Sequence, residues 1–270
     1  MMSIKNVMTP PLKWAGGKRW FAMKHLHLLP EQYDCYIEPF VGSGALFFSL
    51  RPANSILSDV NPELINLYSI IRQSPGALEK KLAQHQRLHC KEYFYETRNS
   101  IPRSNLAKAA RFLYLNRTCW NGLYRVNAQG KFNVPIGTKT AVTLDSDDFV
   151  QASGLLNNTT LLCSDFEPVI DMAKKDDFIF VDPPYTVAHN YNGFVKYNEV
   201  LFSWADQERL KNAVERAANR GAKILITNAA HDSVRELYSD FEQIPVSRAG
   251  VIAGKSSARG KFDELVIRCY

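Results

Sequence analysis

The spacing of hydrophobic positions changes several times along the chain, and these changes predict a mixed α/β protein. Short apolar runs typical of buried parallel strands alternate with segments in which apolar residues recur every three to four positions. Strands are predicted at Cys35–Glu38, in SILSD up to Asp59, in TTLLCSDF, FIFVDPPY and KILITN, and in FDELVIRCY at the sheet edge. Helices are predicted from Ala45, after the cap Asn61 and Pro62, and over residues 206–220.

The alternation stops between residues 71 and 150. SPGALEKKLAQHQRL and NLAKAARFLYLNR have helical spacing, whereas GLYRVNAQGKFNVPIG alternates around a turn, as a β-hairpin does. We therefore predict a catalytic domain made of residues 1–70 and 151–270. Residues 71–150 are predicted to form an inserted, mostly helical domain that carries the hairpin.

Composition and charge narrow the class of protein. The 270-residue chain is 46% hydrophobic and 22% charged, which is ordinary for a globular enzyme. No apolar run approaches the length of a membrane span, and no signal-peptide core is visible, so we expect a cytoplasmic protein. Net charge is +6, and the stretch from Lys80 to Leu144 holds 12 Lys or Arg against 2 Asp or Glu. This imbalance indicates either a nucleic-acid-binding surface or a well-solvated helical face.

The cysteines argue against a metal site. There are five of them, dispersed and without a Cys-x-x-Cys pair, which predicts reduced thiols and no structural zinc. His25 and His27 lie two positions apart, but no further ligands accompany them. We expect no metal.

The stretch with the most chemical content is Asp182-Pro183-Pro184-Tyr185, directly after the apolar run Phe178–Val181. Two prolines make the backbone rigid, and open α/β sheets bind ligands at the carboxyl ends of their strands. If the substrate is a nucleobase, Asp182 and the Pro183 carbonyl are suited to accept both hydrogens of an exocyclic amino group and expose its lone pair. The Tyr185 ring is suited to stack on the base. The alternative is a tight turn with a capping aspartate.

Glycines and one acid near the first two strands indicate a nucleoside-like ligand. Gly42 and Gly44 let the backbone approach an anionic group at a helix start, although the third glycine of the dinucleotide fingerprint is missing. Asp59 ends the second strand, where an acid can accept both ribose hydroxyls; its alternative role is a helix cap. KWAGGK, Lys13–Lys18, is either a loop that closes on an anion or a surface turn.

Four stretches in this order, KWAGGK, EPFVGSG, LSDVN and VDPPY, resemble the Dam-type family of DNA adenine-N6 methyltransferases. The similarity covers nearly the whole chain, including FLYLNRTCWNGLYRVNAQGKFNVPIG in the insertion. The resemblance implies a Rossmann-like sheet, S-adenosylmethionine as methyl donor with S-adenosylhomocysteine as product, and an inserted target-recognition domain. It also implies double-stranded DNA as substrate, flipping of the target adenine and a GATC site. We expect a monomer that needs no protein partner and no membrane. Whether a cognate restriction endonuclease exists stays open.

Carried over position by position, the resemblance assigns three sets of residues. The catalytic set is Asp182, Pro183 and Tyr185. The cofactor set is Trp14, Lys18 (methionine carboxylate), Glu38, Gly42, Gly44, Asp59 (ribose), Asp165 and Phe166 (adenine), and Asp182. The DNA set is Lys13 (first guanine), Arg117, Trp120, Asn121, Leu123, Arg125, Pro135 and Lys139.

Two positions of the DNA set depart from the family's pattern. Lys139 stands where the best-known members carry an aromatic residue that helps to read the first base pair, which puts discrimination there in question. Trp120 replaces a smaller aromatic residue, and such a ring can wedge into a duplex. Arg125, just before the hairpin turn, is predicted to pair with a guanine in the major groove; a phosphate contact is the alternative.

Other functions stay open on the sequence. The same D-P-P-Y chemistry would serve a methyltransferase of RNA or of a protein glutamine amide. The missing third glycine argues against a nucleotide-dependent oxidoreductase, and the intact D-P-P-Y argues against an inactive DNA-binding module. Ser247–Lys261, with four basic residues and no acid, is either a phosphate-contacting loop or a flexible surface hairpin.

Overall fold

The computed structural model of the chain describes residues 8–127, 129–188, 202–249 and 261–270. The strands are β1 Tyr36–Glu38, β2 Ser55–Asp59, β3 Thr159–Cys163, β4 Phe178–Val181, β5 Lys223–Ala229, β6 Glu242–Ala249 and β7 Lys261–Cys269. The α-helices of these ranges are α1 Arg19–Lys24, α2 Ala45–Leu50, α3 Pro62–Gln73, α4 Pro75–Leu88, α5 Lys91–Asn99, α6 Asn105–Thr118, α7 Phe149–Leu156, α8 Phe166–Asp171, α9 Trp204–Asn219 and α10 Asp232–Leu237. Short 3-10 turns cover Leu26–Leu28 and Trp120–Gly122.

The strands form a mixed sheet in the order β3-β2-β1-β4-β5-β7-β6. β1 pairs in parallel with β2 and β4, and β4 pairs in parallel with β5. β7 is antiparallel to both β5 and β6. The order β3-β2-β1-β4-β5 is that of a doubly wound, Rossmann-like sheet, so the predicted fold class is confirmed. Because the order reverses between β1 and β4, ligands are expected where these two strands end.

The antiparallel end of the sheet corrects one prediction. FDELVIRCY does form a strand, but its predicted place at the sheet edge is wrong, because β7 lies between β5 and β6. β6 is the edge strand and is absent from the sequence prediction; Pro245 within it is tolerated at an edge. β6 includes the start of the segment Ser247–Lys261, and residues 250–260 of that segment lie outside the described residues. Both interpretations of the segment stay open.

Contacts divide the chain into two compact units. The first contains residues 8–23, Gly42–Ala53 and Asp59–Cys163; the second contains Lys24–Val41, Asn54–Ser58 and the described residues from Ser164 onward. This division is based on contacts between residues and does not test their functional roles. The predicted catalytic and target-recognition domains therefore stay a prediction.

The first unit is built around helices. α3 packs against α6 and α7, and nine residues of α6 are buried. The side chain of Asn61 accepts hydrogen bonds from the backbone N–H groups of Glu63 and Leu64, and Pro62 occupies the first helical turn. The predicted start of α3 is therefore confirmed.

The second unit is built around buried strands. All four residues of β4 are buried, as the apolar run predicts. α9 begins with a capping box between Ser203 and Asp206 and buries Leu210, Ala213, Val214 and Ala217 on one face. In the ranges that the structure covers, no helix is long and apolar enough to cross a membrane.

Candidate active site

Acidic and hydroxyl side chains collect in the second unit where β1 and β4 end. Tyr36 Oη donates a hydrogen bond of 2.9 Å to Glu38 Oε2, and both residues are buried. Beyond the end of β4, Thr227 Oγ1 donates a hydrogen bond of 2.8 Å to Asp182 Oδ1. Burial raises the pKa of Tyr36 well above its usual value, and the negative charges of Glu38 and Asp182 act in the same direction. Asp182 therefore lies in an acidic, hydrogen-bonded environment at the switch point of the sheet.

The D-P-P-Y loop is held by side chains from three other elements. Besides the contact from Thr227 on β5, Tyr185 Oη donates to Glu264 Oε2 on β7 at 2.7 Å. Gln207 Nε2 on α9 donates to the Pro184 carbonyl at 3.4 Å. Burial raises the pKa of Tyr185 well above its usual value, with Asp182 and Glu264 adding to the effect. Such support exceeds what a capped turn requires, so the geometry favours a functional loop.

An aromatic cluster lies where β1 ends and α8 begins, and Arg209 of α9 packs against it. The rings of Phe40 and Phe166 stack at 5.4 Å, and Phe202 contacts both at 5.7 and 5.6 Å. Arg209 forms two hydrogen bonds of 2.7 and 2.9 Å with Asp165, and its guanidinium lies 4.2 Å from the centre of the Phe166 ring. The hydrogen bonds from Arg209 lower the pKa of Asp165. The Phe166 ring is buried and already contacts Phe40, Phe202 and Arg209, so a ligand contact at Asp165 and Phe166 stays a prediction.

In the first unit, the glycine turn is fixed from both sides. The N–H of Gly42 donates to Asp59 Oδ2 at 3.2 Å, while Tyr68 Oη donates to the Gly42 carbonyl at 2.7 Å. Gly42 and Gly44 have φ of 45° and 64°, a region that favours glycine. Asp59 Oδ1 also accepts from the N–H of Asn61 at 3.0 Å. Since Asn61 caps α3, the alternative of Asp59 as the cap of that helix is wrong.

Asp59 has a perturbed pKa. Burial raises it from 3.8 to about 6, and the hydrogen bonds from backbone N–H groups only partly oppose this shift. A partly exposed carboxylate at the end of a strand, next to a glycine turn, fits a contact to ligand hydroxyls. A strongly perturbed acid in such a place is also a common sign of a functional site.

KWAGGK folds against this turn. A Cβ on residue 42 would lie 2.6 Å from Cδ1 of Trp14, so the tryptophan requires glycine there. Lys18 is only 4% exposed, and its Nζ donates to the Gly16 carbonyl at 2.9 Å. Trp14 and Lys18 thus pack inward, while Lys13, Ala15 and Gly16 are exposed, so both interpretations of the stretch stay open.

The sequence matches the model of the family described as D12 class N6 adenine-specific DNA methyltransferase over residues 14–250. The chain belongs to this family. It is 36% identical to the type II methyltransferase M1.LlaDCHI of Lactococcus lactis subsp. cremoris, over 97% of this chain and 96% of that one. It is 32% identical to the DNA adenine methylase of Haemophilus influenzae (95% and 92% covered) and 31% identical to that of Escherichia coli K12 (94% and 93% covered). The protein is therefore an adenine-specific DNA methyltransferase, and DNA is its substrate.

In this methyltransferase, one residue of the predicted DNA set is buried. The Arg117 side chain is 4% exposed and forms a two-pronged ion pair with Asp147, at 2.7 and 2.6 Å. Its guanidinium also donates to the carbonyls of Pro11 and Val142. This geometry gives Arg117 a structural role, and we leave it out of the DNA contacts proposed below.

The other members of the DNA set are exposed, and a buried amide connects two of their loops. Asn116 Oδ1 accepts from the N–H of Lys13 at 3.0 Å, and its Nδ2 donates to the carbonyls of Lys13 and Gly122 at 2.8 and 3.2 Å. The Trp120–Gly122 turn is thereby fixed with Trp120 52% exposed. The N–H of Trp120 also donates to the Pro135 carbonyl at 3.0 Å. The exposed members are Lys13, Trp120, Asn121, Leu123, Arg125, Pro135 and Lys139.

The predicted hairpin is present. Val126 and Phe132 form an antiparallel bridge, and the N–H of Asn127 donates to the Lys131 carbonyl at 2.9 Å. Arg125 Nε donates to Asn133 Oδ1 across the hairpin at 3.0 Å, which orients the guanidinium. The Arg125 side chain lies on the surface.

Lys13 and Lys139, which come from distant parts of the sequence, lie side by side. The hydrogen bond between their amines, more than burial, lowers the pKa of Lys13 from 10.5 to about 8. The structure thus brings the predicted contact to the first guanine together with the residue that departs from the family's pattern.

Several supporting residues of this methyltransferase have no sequence signal. Thr227, Glu264, Tyr68 and Arg209 each hold a predicted site residue, yet none belongs to a recognisable motif; Asn116, which holds Lys13, lies in the quoted insertion stretch but is not among the predicted site residues. Their contacts with the site residues are visible only in the three-dimensional structure. In the described parts of the chain, no group of three or more His, Cys, Asp or Glu residues could hold a metal ion.

Proposed function

We propose that this methyltransferase transfers a methyl group from S-adenosylmethionine to N6 of an adenine that is flipped out of duplex DNA, within GATC. The observation that carries the proposal is the supported D-P-P-Y loop at the end of β4. A conjugated amino nitrogen is a poor nucleophile because its lone pair is delocalised into the ring. Asp182 and the Pro183 carbonyl accept its two hydrogens and so expose the lone pair.

Tyr185 takes the stacking role in this proposal. Its hydroxyl is tied to Glu264, so the plane of the ring is set before a base arrives. A base inside a duplex cannot reach such a loop, and enzymes of this kind therefore extrude the target nucleotide. Holding the base and the methyl donor in line is mainly a positioning effect.

Residues within each unit suit parts of S-adenosylmethionine, which supplies an electrophilic methyl group when bound. Asp59 would accept the ribose hydroxyls, and Asp165 with Phe166 would hold the adenine ring. Lys18 would bind the methionine carboxylate. Further contacts are proposed for Trp14, Glu38, Gly42, Gly44 and Asp182.

For the DNA, the proposal assigns two kinds of contact. Arg125 reads a guanine from the hairpin, since a guanidinium oriented by Asn133 suits the O6 and N7 acceptors in the major groove. Lys13 and Lys139 together contact the first base pair, where two adjacent amines can meet the same two acceptors. Leu123 and Pro135 line the reading surface, and Trp120 with Asn121 enters the duplex.

The test is methylation in a host that lacks adenine methylation, with modified adenines mapped by single-molecule sequencing. We expect N6-methyladenine in GATC, and a loss of nearly all methylation in Asp182→Ala with its melting temperature preserved. Methylation at another motif would overturn the GATC assignment alone. Modified RNA or protein glutamine with unmodified DNA sites would support the alternative substrates, and an active Asp182→Ala variant would remove the proposed catalytic role.

The biological setting goes beyond these observations. The Lactococcus lactis relative carries a type II methyltransferase name, which leaves a restriction–modification role as a proposal for this chain. A monomeric state and a cytoplasmic location likewise stay predictions.

A further inference from the structure

We propose that Thr227 is a positioning residue that holds the Asp182 carboxylate in the orientation needed for methyl transfer. This inference rests on the proposed role of Asp182. Thr227 lies in β5, whose residue Ile226 pairs with Val181, the last residue of β4. The hydroxyl of Thr227 is thus brought to Asp182, the first residue beyond that strand.

The hydroxyl proton of Thr227 is directed at Asp182. Oγ1 lies 2.8 Å from Asp182 Oδ1 but 3.5 Å from the Val181 carbonyl, the other acceptor in range. Thr227 is fully buried, so water does not compete for this contact. A hydrogen bond from a neutral donor to a carboxylate is also stronger than one to a neutral acceptor. The shorter contact therefore sets the rotamer of Thr227.

Fixing one carboxylate oxygen fixes the other. With Oδ1 held by Thr227, the plane of the carboxylate is set, and so is the direction in which Oδ2 accepts a hydrogen bond. The hydrogen bond from Thr227 also favours the ionised form of Asp182, which can only accept hydrogen bonds. Without the hydroxyl, the Asp182 carboxylate loses the contact that sets this orientation. A shift of about 1 Å in a reacting group can lower a rate about 100-fold.

The purely structural alternative is that Thr227 fills space in the core. β-branched residues suit a buried strand, and valine has nearly the same shape as threonine. This alternative predicts that Thr227→Val is harmless and that Thr227→Ser, which removes a methyl group, is the damaging change. The positioning role predicts the reverse order.

Thr186 provides a matched control in the same loop region. It is fully buried, and its hydroxyl donates to the Phe202 carbonyl at 2.6 Å, but it has no hydrogen bond to Asp182 in the described structure. Thr186→Val therefore measures the cost of losing a buried hydroxyl without changing the contact to the carboxylate.

The experiment measures single-turnover methylation of a duplex with one adenine target, together with cofactor affinity by calorimetry. For Thr227→Val we expect a rate about 10- to 100-fold lower, with the DNA dissociation constant within about twofold of wild type and a smaller loss of cofactor affinity than of rate, since Asp182 is also a proposed cofactor contact. Thr227→Ser and Thr186→Val should stay within about threefold of wild type. If Thr227→Val does not fold, as judged by its melting temperature, Thr227→Cys takes its place because a thiol donates only weakly.

The pH profile adds a readout that a packing role would not change. Loss of the donor should move the acid limb of the single-turnover rate to higher pH in Thr227→Val and not in Thr227→Ser. Among the described residues, Asp182 acts electrostatically on Tyr36 of β1 and Tyr185 of the loop, whose hydroxyls in turn interact with Glu38 and Glu264. They are common to all variants, so the difference between variants isolates Thr227.

Three results would overturn the inference: a Thr227→Val rate within threefold of wild type, a Thr227→Ser rate as low as that of Thr227→Val, or an equal loss in Thr186→Val. An Asp182→Ala variant assayed in parallel distinguishes a failure of the proposed function from a failure of the positioning role alone. If Asp182→Ala keeps its activity, the proposed function fails at that residue whatever Thr227 does. If Asp182→Ala is inactive while Thr227→Val is normal, only the positioning role fails.

Discussion

The raised pKa of Asp59 makes cofactor binding depend on pH in a way that can be calculated. The carboxyl is partly removed from water, and its pKa is about 6 in place of 3.8. Ribose hydroxyls donate hydrogen bonds, so the ionised form of Asp59 is the better acceptor for them. We therefore expect the affinity for S-adenosylmethionine to fall as the pH drops through 6.

The size of the effect follows from the fraction ionised. With a pKa of about 6, roughly nine-tenths of Asp59 is protonated at pH 5, and nearly all is ionised at pH 7.5. The dissociation constant should therefore rise about tenfold between pH 7.5 and pH 5, which corresponds to about 1.4 kcal/mol. Asp59→Asn keeps the shape and one acceptor but cannot ionise, so its affinity should be weak and nearly independent of pH.

The assay is calorimetric titration of S-adenosylmethionine into wild type and Asp59→Asn from pH 5 to pH 8, without DNA. Titration of the cofactor's own groups is common to both proteins and cancels in the comparison. If the two proteins show the same pH dependence, the ionisation of Asp59 does not control cofactor binding, and the ribose assignment is refuted.

The stability of the cofactor-free protein provides an independent check, because it should depend on pH in the opposite direction to the cofactor affinity. A carboxyl whose pKa is raised on folding contributes stability that is fully present below its unfolded pKa and is lost as the pH rises through its folded pKa. For Asp59 this window runs from 3.8 to about 6. The contribution is at most about 3 kcal/mol. Urea unfolding should thus show a wild-type stability that declines through this window relative to Asp59→Asn, while cofactor affinity increases.

Two further predictions concern the DNA set. Arg125→Ala should relax the preference at one outer base pair of GATC by about 1–3 kcal/mol in a panel of single-substitution duplexes. A uniform loss on all duplexes would show that Arg125 holds phosphate. Arg117→Ala should lower the free energy of unfolding by up to about 3–5 kcal/mol, because it leaves the largely buried Asp147 carboxylate without its ion-pair partner. The exposed Lys139→Ala serves as the control in urea unfolding, and a stable Arg117→Ala protein with weakened DNA binding would return Arg117 to the DNA surface.

Features that depend on a few adjacent residues could be predicted from the sequence. The start of α3 follows from Asn61 and Pro62, and β4 follows from an uninterrupted apolar run. The D-P-P-Y loop lies at the end of β4 as expected, because two prolines cannot continue a buried strand. The hairpin around residues 127–130 follows from its alternation and its turn residues.

Features that depend on distant partners could not be predicted. Thr227 lies 45 residues after Asp182, and Glu264 lies 79 residues after Tyr185, so neither contact leaves a local pattern. Arg117 is a second example in which a contact between distant residues could not be predicted. In a segment rich in basic residues it resembles a DNA contact, and only the position of Asp147, 30 residues further on, shows that it is buried.

Trp14 illustrates why contacts to cofactor and DNA cannot be separated cleanly along this chain. Its ring packs against Gly42 of the glycine turn and also stacks at 5.7 Å on Tyr124, which leads into the hairpin. Tyr124 Oη in turn donates to Glu63, in the first turn of α3. The glycine turn and the base of the hairpin therefore share one packed core within the first unit. A change that moves the Trp14 ring must disturb both, because close-packed side chains transmit strain to their neighbours. A residue assigned to the cofactor by resemblance is, in its contacts, also a support for the hairpin that is proposed to read DNA.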